Sequence, residues 1–129
     1  MLRIIMKTLF ALCILHVQAF ADEASSRVEA LDFILEPKPY ITKTITVIDC
    51  NIRVESAENI YCYPSRGLKE SIHLDGASME KKSLIEAAKK CPLENPDKVF
   101  CIGEVTGEGR YYLMEHAQLR NAKINWIKK

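Results

Sequence analysis

The stretch ITKTITVIDCNIRVE, Ile41 to Glu55, decides the fold. Its β-branched residues suit a strand, but its apolar parity changes midway. Ile45 and Val47 lie on one parity, and Ile48, Cys50, Ile52 and Val54 lie on the other. Side chains alternate faces along a strand. Such a switch therefore means a bulge, or a bend that lets each half bury a different face. Asp49 and Arg53 then point away from Cys50. A bent opening strand of this kind fits a small closed barrel.

Downstream, SAEN is a turn signal, and NIYCY reads as a second strand with Ile60 and Cys62 on one parity and Tyr61 and Tyr63 on the other. PSRG turns the chain again. LKESIHLD is a third strand, with Ile72 and Leu74 opposite Ser71 and His73. Asp75-Gly76-Ala77-Ser78 breaks that strand and offers candidate helix caps. MEKKSLIEAAKKC is the clearest helix. Leu84, Ala88 and Cys91 form its apolar face with Ile85 alongside, and charged residues take most of the other side. Lys89 and Lys90 suit its C-terminus, and Pro92 stops it. KVFCIGEVT is a fourth strand in which Gly103 marks a bend, a bulge or a close approach. GEG, Gly107 to Gly109, reads as a turn. RYYLM returns the chain, and AKINWI is the last strand.

Upstream, MLRIIMKTLFALCILHVQAFADE has the layout of a secretory signal peptide. Arg3 and Lys7 precede an apolar run, and Ala19-Phe20-Ala21 is an A-x-A cleavage site. The run is shorter than the ~18–20 residues of a spanning helix. The expected organisation is a signal peptide over 1–21, an N-terminal helix or arm over 22–39, and one disulfide-stabilised domain over 40–129. Within the arm, Ser26-x-x-Glu29 has the capping-box form, and Val28, Leu31 and Leu35 share a helical face. The protein is then periplasmic or secreted, with no membrane span after cleavage. The 129-residue chain carries 18 basic and 17 acidic residues. Losing Arg3 and Lys7 tips that balance slightly acidic, so nucleic acid is not an expected partner.

Cys13 leaves with the signal peptide. Cys50, Cys62, Cys91 and Cys101 remain, an even count that reads as two disulfides in a small exported domain. Three pairings are possible. Cys50 and Cys62 share core-facing parity in strands joined by a short connection. Cys91 ends the helix on its apolar face, and Cys101 sits on the apolar parity of the strand that follows. The expected bridges are Cys50–Cys62 and Cys91–Cys101. There is no C-x-x-C pair, and His73 and His116 lie at no metal-ligand spacing. No metal or cofactor is expected.

The order of three strands, one helix and two strands resembles the OB-fold, a five-stranded Greek-key barrel with its helix between strands three and four. The segment CIGEVTGEGRYYLMEHAQLRNAKINW also looks like the closing part of OB-type domains. The resemblance is topological, covers roughly Ile41 to Ile127 and has no diagnostic motif. Together with the leader it implies a small exported bacterial protein of mostly β class. The alternative fold is an α+β sheet with one packed helix, built from the same elements.

No catalytic set emerges. Ser71 and His73 share one strand face too far apart for a triad, and Asp75 is better explained by the turn before the helix. No G-x-S-x-G elbow is present, and Asp49, Arg53, Glu55 and Arg110 read as solvated charges. Arg110-Tyr111-Tyr112 is an aromatic-basic cluster of the kind that binds single strands, but the charge balance argues against that role. The constellation Tyr61, Tyr63, Ser71 and His73 faces away from the core. In OB-folds the outer face around strands two and three is the usual ligand surface. Arg66 and Lys69 flank it in a turn, where either can clamp an anionic group. The expected function is a non-catalytic binding module that engages a protein or glycan in the envelope or outside the cell through Tyr61, Tyr63, Arg66 and His73. The competing expectations are a secreted inhibitor or immunity-type protein acting through Pro64 to Lys69 and Gly107 to Arg110, and, last, a hydrolase.

Overall fold

A computed structural model describes residues 25–65, 70–93 and 101–127. Arg66, Lys69 and the start of the expected fourth strand lie outside these residues. The elements are β1 (Ser26–Val28), α1 (Ala30–Leu35), a 3-10 turn (Lys38–Tyr40), β2 (Thr44–Val54), β3 (Asn59–Pro64), β4 (Ile72–Asp75), α2 (Lys81–Lys90), β5 (Ile102–Tyr112) and β6 (His116–Trp126). β2 pairs with β3, β3 with β4, β4 with β6, β6 with β5, and β5 with β2 again. Five strands thus close into a mixed barrel. Among the pairings of these five strands, only β4–β6 is parallel. This strand order, with α2 between the third and fourth barrel strands, is OB-like.

The parity switch in β2 is a bulge. Val47 pairs with Val105 and Cys50 with Gly103, so Ile48 and Asp49 stand against Glu104 alone. Either side of it, Ile45, Val47, Cys50 and Ile52 all point into the barrel and are fully buried, while Ile48 is half-buried. β3 reaches along β2 only to Cys50, opposite Pro64. β1 occupies the vacated edge as a parallel neighbour of Ile45 to Val47. An open strand edge is thereby covered.

α1 packs by the start of β6, where Ile34 shares a cavity with His116 and Ala117, and α2 packs near the end of β6, where Ser83 meets Ile124. α1 starts at Ala30, and Ser26–Val28 is strand rather than helix. The capping-box expectation fails because the α1 N-terminus is satisfied by Asp49, whose Oδ1 accepts from the Ala30 N–H at 2.7 Å. α1 buries Ala30 and Phe33, leaving Leu35 exposed. Phe33 meets Tyr40 edge-on at 5.8 Å. α2 is also rotated from its expected face. Ser83, Ala87 and Cys91 are buried, Leu84 is half-buried, and Ala88 and Ile85 face water. The polar member of that face is anchored: Ser83 Oγ accepts from Ile124 N–H at 2.9 Å and donates to Glu80. The bond satisfies a barrel N–H that strand pairing leaves free.

GEG is not a turn. β5 runs straight through it, and the chain reverses at Leu113 to Glu115. Gly107 faces a bulge in β6, where Asn121 adopts a left-handed conformation (φ 54°). Gly109 lies against the Tyr40–Ile41 backbone and bonds to Thr42 and Lys43. The segment expected to project from Gly107 to Arg110 is therefore barrel wall. Cys50 is bonded to Cys62 and Cys91 to Cys101, as expected, with Cα separations of 4.9 and 5.7 Å.

Candidate functional site

Strand register places one row of outward side chains across the barrel: Arg53 opposite Tyr61, Tyr61 opposite His73, His73 opposite Gln118, and Gln118 opposite Arg110. Its centre is polar and closed. Gln118 Nε2 donates to His73 Nδ1 at 3.0 Å, and His73 Nε2–H donates to Asn59 Oδ1 at 3.1 Å. With one nitrogen accepting and the other donating, the imidazole is the neutral Nε2–H tautomer. Gln118 Oε1 in turn accepts from Arg120.

Tyr112 covers this network. Its ring stacks on His73 with centroids 3.8 Å apart and planes 10° apart. Tyr61 meets His73 edge-on at 5.8 Å, and Tyr63 lies 6.3 Å from Tyr61. A cavity of about 310 Å³ opens over the cluster. Tyr61, His73 and Tyr112 line it, joined by Ser71, Glu70 and Glu115, and Ile34 of α1 closes one side.

His73, expected as a ligand-facing group, is only 5% exposed and forms the cavity floor. Tyr61 stands on its wall. Tyr63 belongs instead to an adjacent recess with Asn51, Arg53 and Leu93. The charges read as solvated are dispersed: Asp49 caps α1, Arg110 is paired with Glu108, and Arg53 is buried. Ser71 and Asp75 bond to neither nitrogen of His73. Among the described residues no group of His, Cys, Asp or Glu could hold a metal ion.

Sequence reasoning missed Tyr112, Gln118 and Asn59. Tyr112 carried a signal, as part of an aromatic-basic cluster, but misplacing the turn at GEG put it in the wrong register. Gln118 carried none, because its place depends on the long-range parallel pairing of β4 with β6.

Burial drives the His73 pKa below its ordinary value and outweighs the nearby Asp75 charge and the Glu58 backbone, which both favour the cation. Burial, with the Glu55 carboxylate, raises Tyr61. A lowered folded-state pKa means that the unfolded chain takes up this proton first. His73 therefore contributes full stability above the ordinary value of 6.5, and the contribution is lost as the pH falls below it toward the folded-state value. The His73 ring signal in an NMR titration is expected to shift with a midpoint under 6.5. A midpoint above it would contradict the bonding pattern.

The β5–β6 tip beside the cavity is unusual. Leu113 and Met114 both have positive φ, 43° and 32°, and are 68% and 93% exposed. Left-handed backbone at such residues costs ~1–3 kcal/mol each. No helix among the described residues is long and apolar enough to cross a membrane. No family model, curated protein or solved structure matches the chain.

Proposed function

We propose that this chain is an exported, disulfide-braced binding module that takes a protein or glycan partner outside the cytoplasm and performs no chemistry on it. The observation that carries the reading is the cavity on the outer barrel face, where Tyr61 and Tyr112 stand over a fully bonded His73 with Ser71, Glu70 and Glu115 at hand. Tyrosine rings offer flat apolar area with a polar tip and lose little entropy when they bind. The floor is fixed by its own hydrogen bonds and stacking, so the wall is preorganised. Two disulfides support an oxidising compartment, as does the signal-peptide layout of residues 1–21.

A second reading has its own support. An inhibitor acts through a projecting loop, and the exposed, strained Leu113-Met114 tip is such a loop. Capture from envelope and secreted extract separates the two. Tyr61→Ala with Tyr112→Ala, shown to remain folded, is expected to weaken capture more than about tenfold, as loss of a central aromatic contact does. Leu113→Asn with Met114→Gly is expected to leave capture intact. The reverse pattern would move the site to the tip.

A further inference from the structure

We infer that Arg53, Asn51 and Tyr63 form a subsite for an oxyanion of the partner, a carboxylate or a phosphate group, at the β2 end of the same outer face. The inference rests on the binding reading above and adds the chemistry of what is bound.

Arg53 is 6% exposed. None of its nitrogens is among the fully buried side-chain atoms that lack a partner, so the stem is covered while the guanidinium opens onto the recess it lines. The Arg53 side chain forms no hydrogen bond or ion pair with any described residue. The other described arginines all have acceptors: Arg27 meets Glu104, Arg110 meets Glu108, and Arg120 meets Gln118. The loss of water around Arg53 pulls its pKa below the ordinary value and outweighs the opposing influence of Tyr63.

A second polar group is unanswered at the same place. Asn51 Oδ1 is buried and has no donor among the described residues. Asn51 and Arg53 are two apart on β2, so they face the same way. Together with Tyr63 and Leu93 they line a recess of about 370 Å³. Register places Tyr63 opposite Asn51 and Tyr61 opposite Arg53, so the tyrosines form a ridge between this recess and the His73 cavity. Among the described residues, donors without an acceptor on one side and an acceptor without a donor on the other define the ligand. It carries an oxyanion for the guanidinium fork and an adjacent O–H or N–H for Asn51. The planar fork of arginine matches carboxylate and phosphate oxygens in pairs. Acidic sugars and acidic peptide segments present such groups.

The test is an NMR titration of the full oxidised chain that follows the Arg53 Nε–H and Asn51 amide signals. Acetate, glucuronate and inorganic phosphate are added separately at constant ionic strength, with chloride as the balancing ion. A saturable shift of the Arg53 signal is expected with at least one probe. The tighter arm decides between carboxylate and phosphate. Arg53→Lys should weaken that binding about tenfold or more. Asn51→Ala should erase the advantage of glucuronate, which carries hydroxyls, over acetate, which carries none. The absence of a saturable shift in every arm, or a shift unchanged in Arg53→Lys, overturns the inference. The probes do not need the His73 cavity. Anion binding that survives Tyr61→Ala with Tyr112→Ala while capture is lost supports both readings. Capture without anion binding removes only this one.

Discussion

Replacing Cys50 and Cys62 together by alanine is expected to lower the unfolding free energy by about 2–5 kcal/mol, the usual cost of deleting a native bridge from a small domain. Both sulfurs are fully buried, and they join β2 to β3 immediately beyond the β2 bulge. At that point β2 gives up β3 as a neighbour and takes β1. The bridge holds the strand where its pairing changes partners, so its loss also loosens the seam that closes the barrel. Urea denaturation of the oxidised protein and the double variant measures the effect. The midpoint should fall, and any change in slope should be a rise, because the denatured chain is more open without the cross-link. A change under about 1 kcal/mol would show that strand pairing alone holds the seam.

Gly109→Ala is expected to cost about 1–3 kcal/mol, the penalty for forcing atoms into a packed site. A methyl group there would overlap the Tyr40 carbonyl. The obstacle is backbone and cannot swing aside. Thr42 N–H donates to the Gly109 carbonyl at 2.8 Å, and Gly109 N–H donates to the Lys43 carbonyl at 2.9 Å. The strand and the segment below α1 are pinned to each other, so separating them also breaks those bonds. Gly103→Ala is the control, because it meets the Asn125 carbonyl and Ile124 Cγ2 at 3.0 and 3.1 Å, a contact relieved by small shifts. Thermal denaturation should rank Gly109→Ala clearly below Gly103→Ala. Equal stabilities would mean that the Tyr40 segment does not pack on β5 in solution.

The barrel was legible where local periodicity and core burial agree. The spacing of Ile45, Val47, Cys50 and Ile52 calls for a bulge or a bend, of which the barrel uses the bulge, and the cysteines of β2 and β3 share the parity that lets them meet. The reading failed where chemistry that normally marks one structure serves another. Gly107 and Gly109 look like a turn, but one faces a bulge and the other makes room for a neighbouring backbone. The real turn falls at Leu113-Met114, which has none of the glycine or asparagine that left-handed backbone favours. Ser26 resembles a helix cap, but the cap comes from Asp49, distant in sequence. The face of α2 was misjudged because Ser83 is buried by a bond to β6, which no helical pattern records.

The outer face was legible only in part, for a related reason. Parity put Tyr61, Tyr63 and His73 outside the core. It could not show that Tyr112 lies over His73, or that Gln118 and Asn59 occupy both its nitrogens. Those partners come from three other strands. Arg53 was read as a solvated charge because sequence carries no sign that a strand-borne arginine is buried.

Site-specific photo-crosslinking measures the central claim most directly. A photoreactive residue replaces His116, which is exposed at the edge of the cavity, or Ile85, which is exposed on α2 and does not line the cavity. Each protein is irradiated in envelope extract. The account predicts a discrete adduct from position 116 that disappears with Tyr61→Ala and Tyr112→Ala, and none from position 85. An adduct from position 85 alone would contradict it and place the contact surface on the helix.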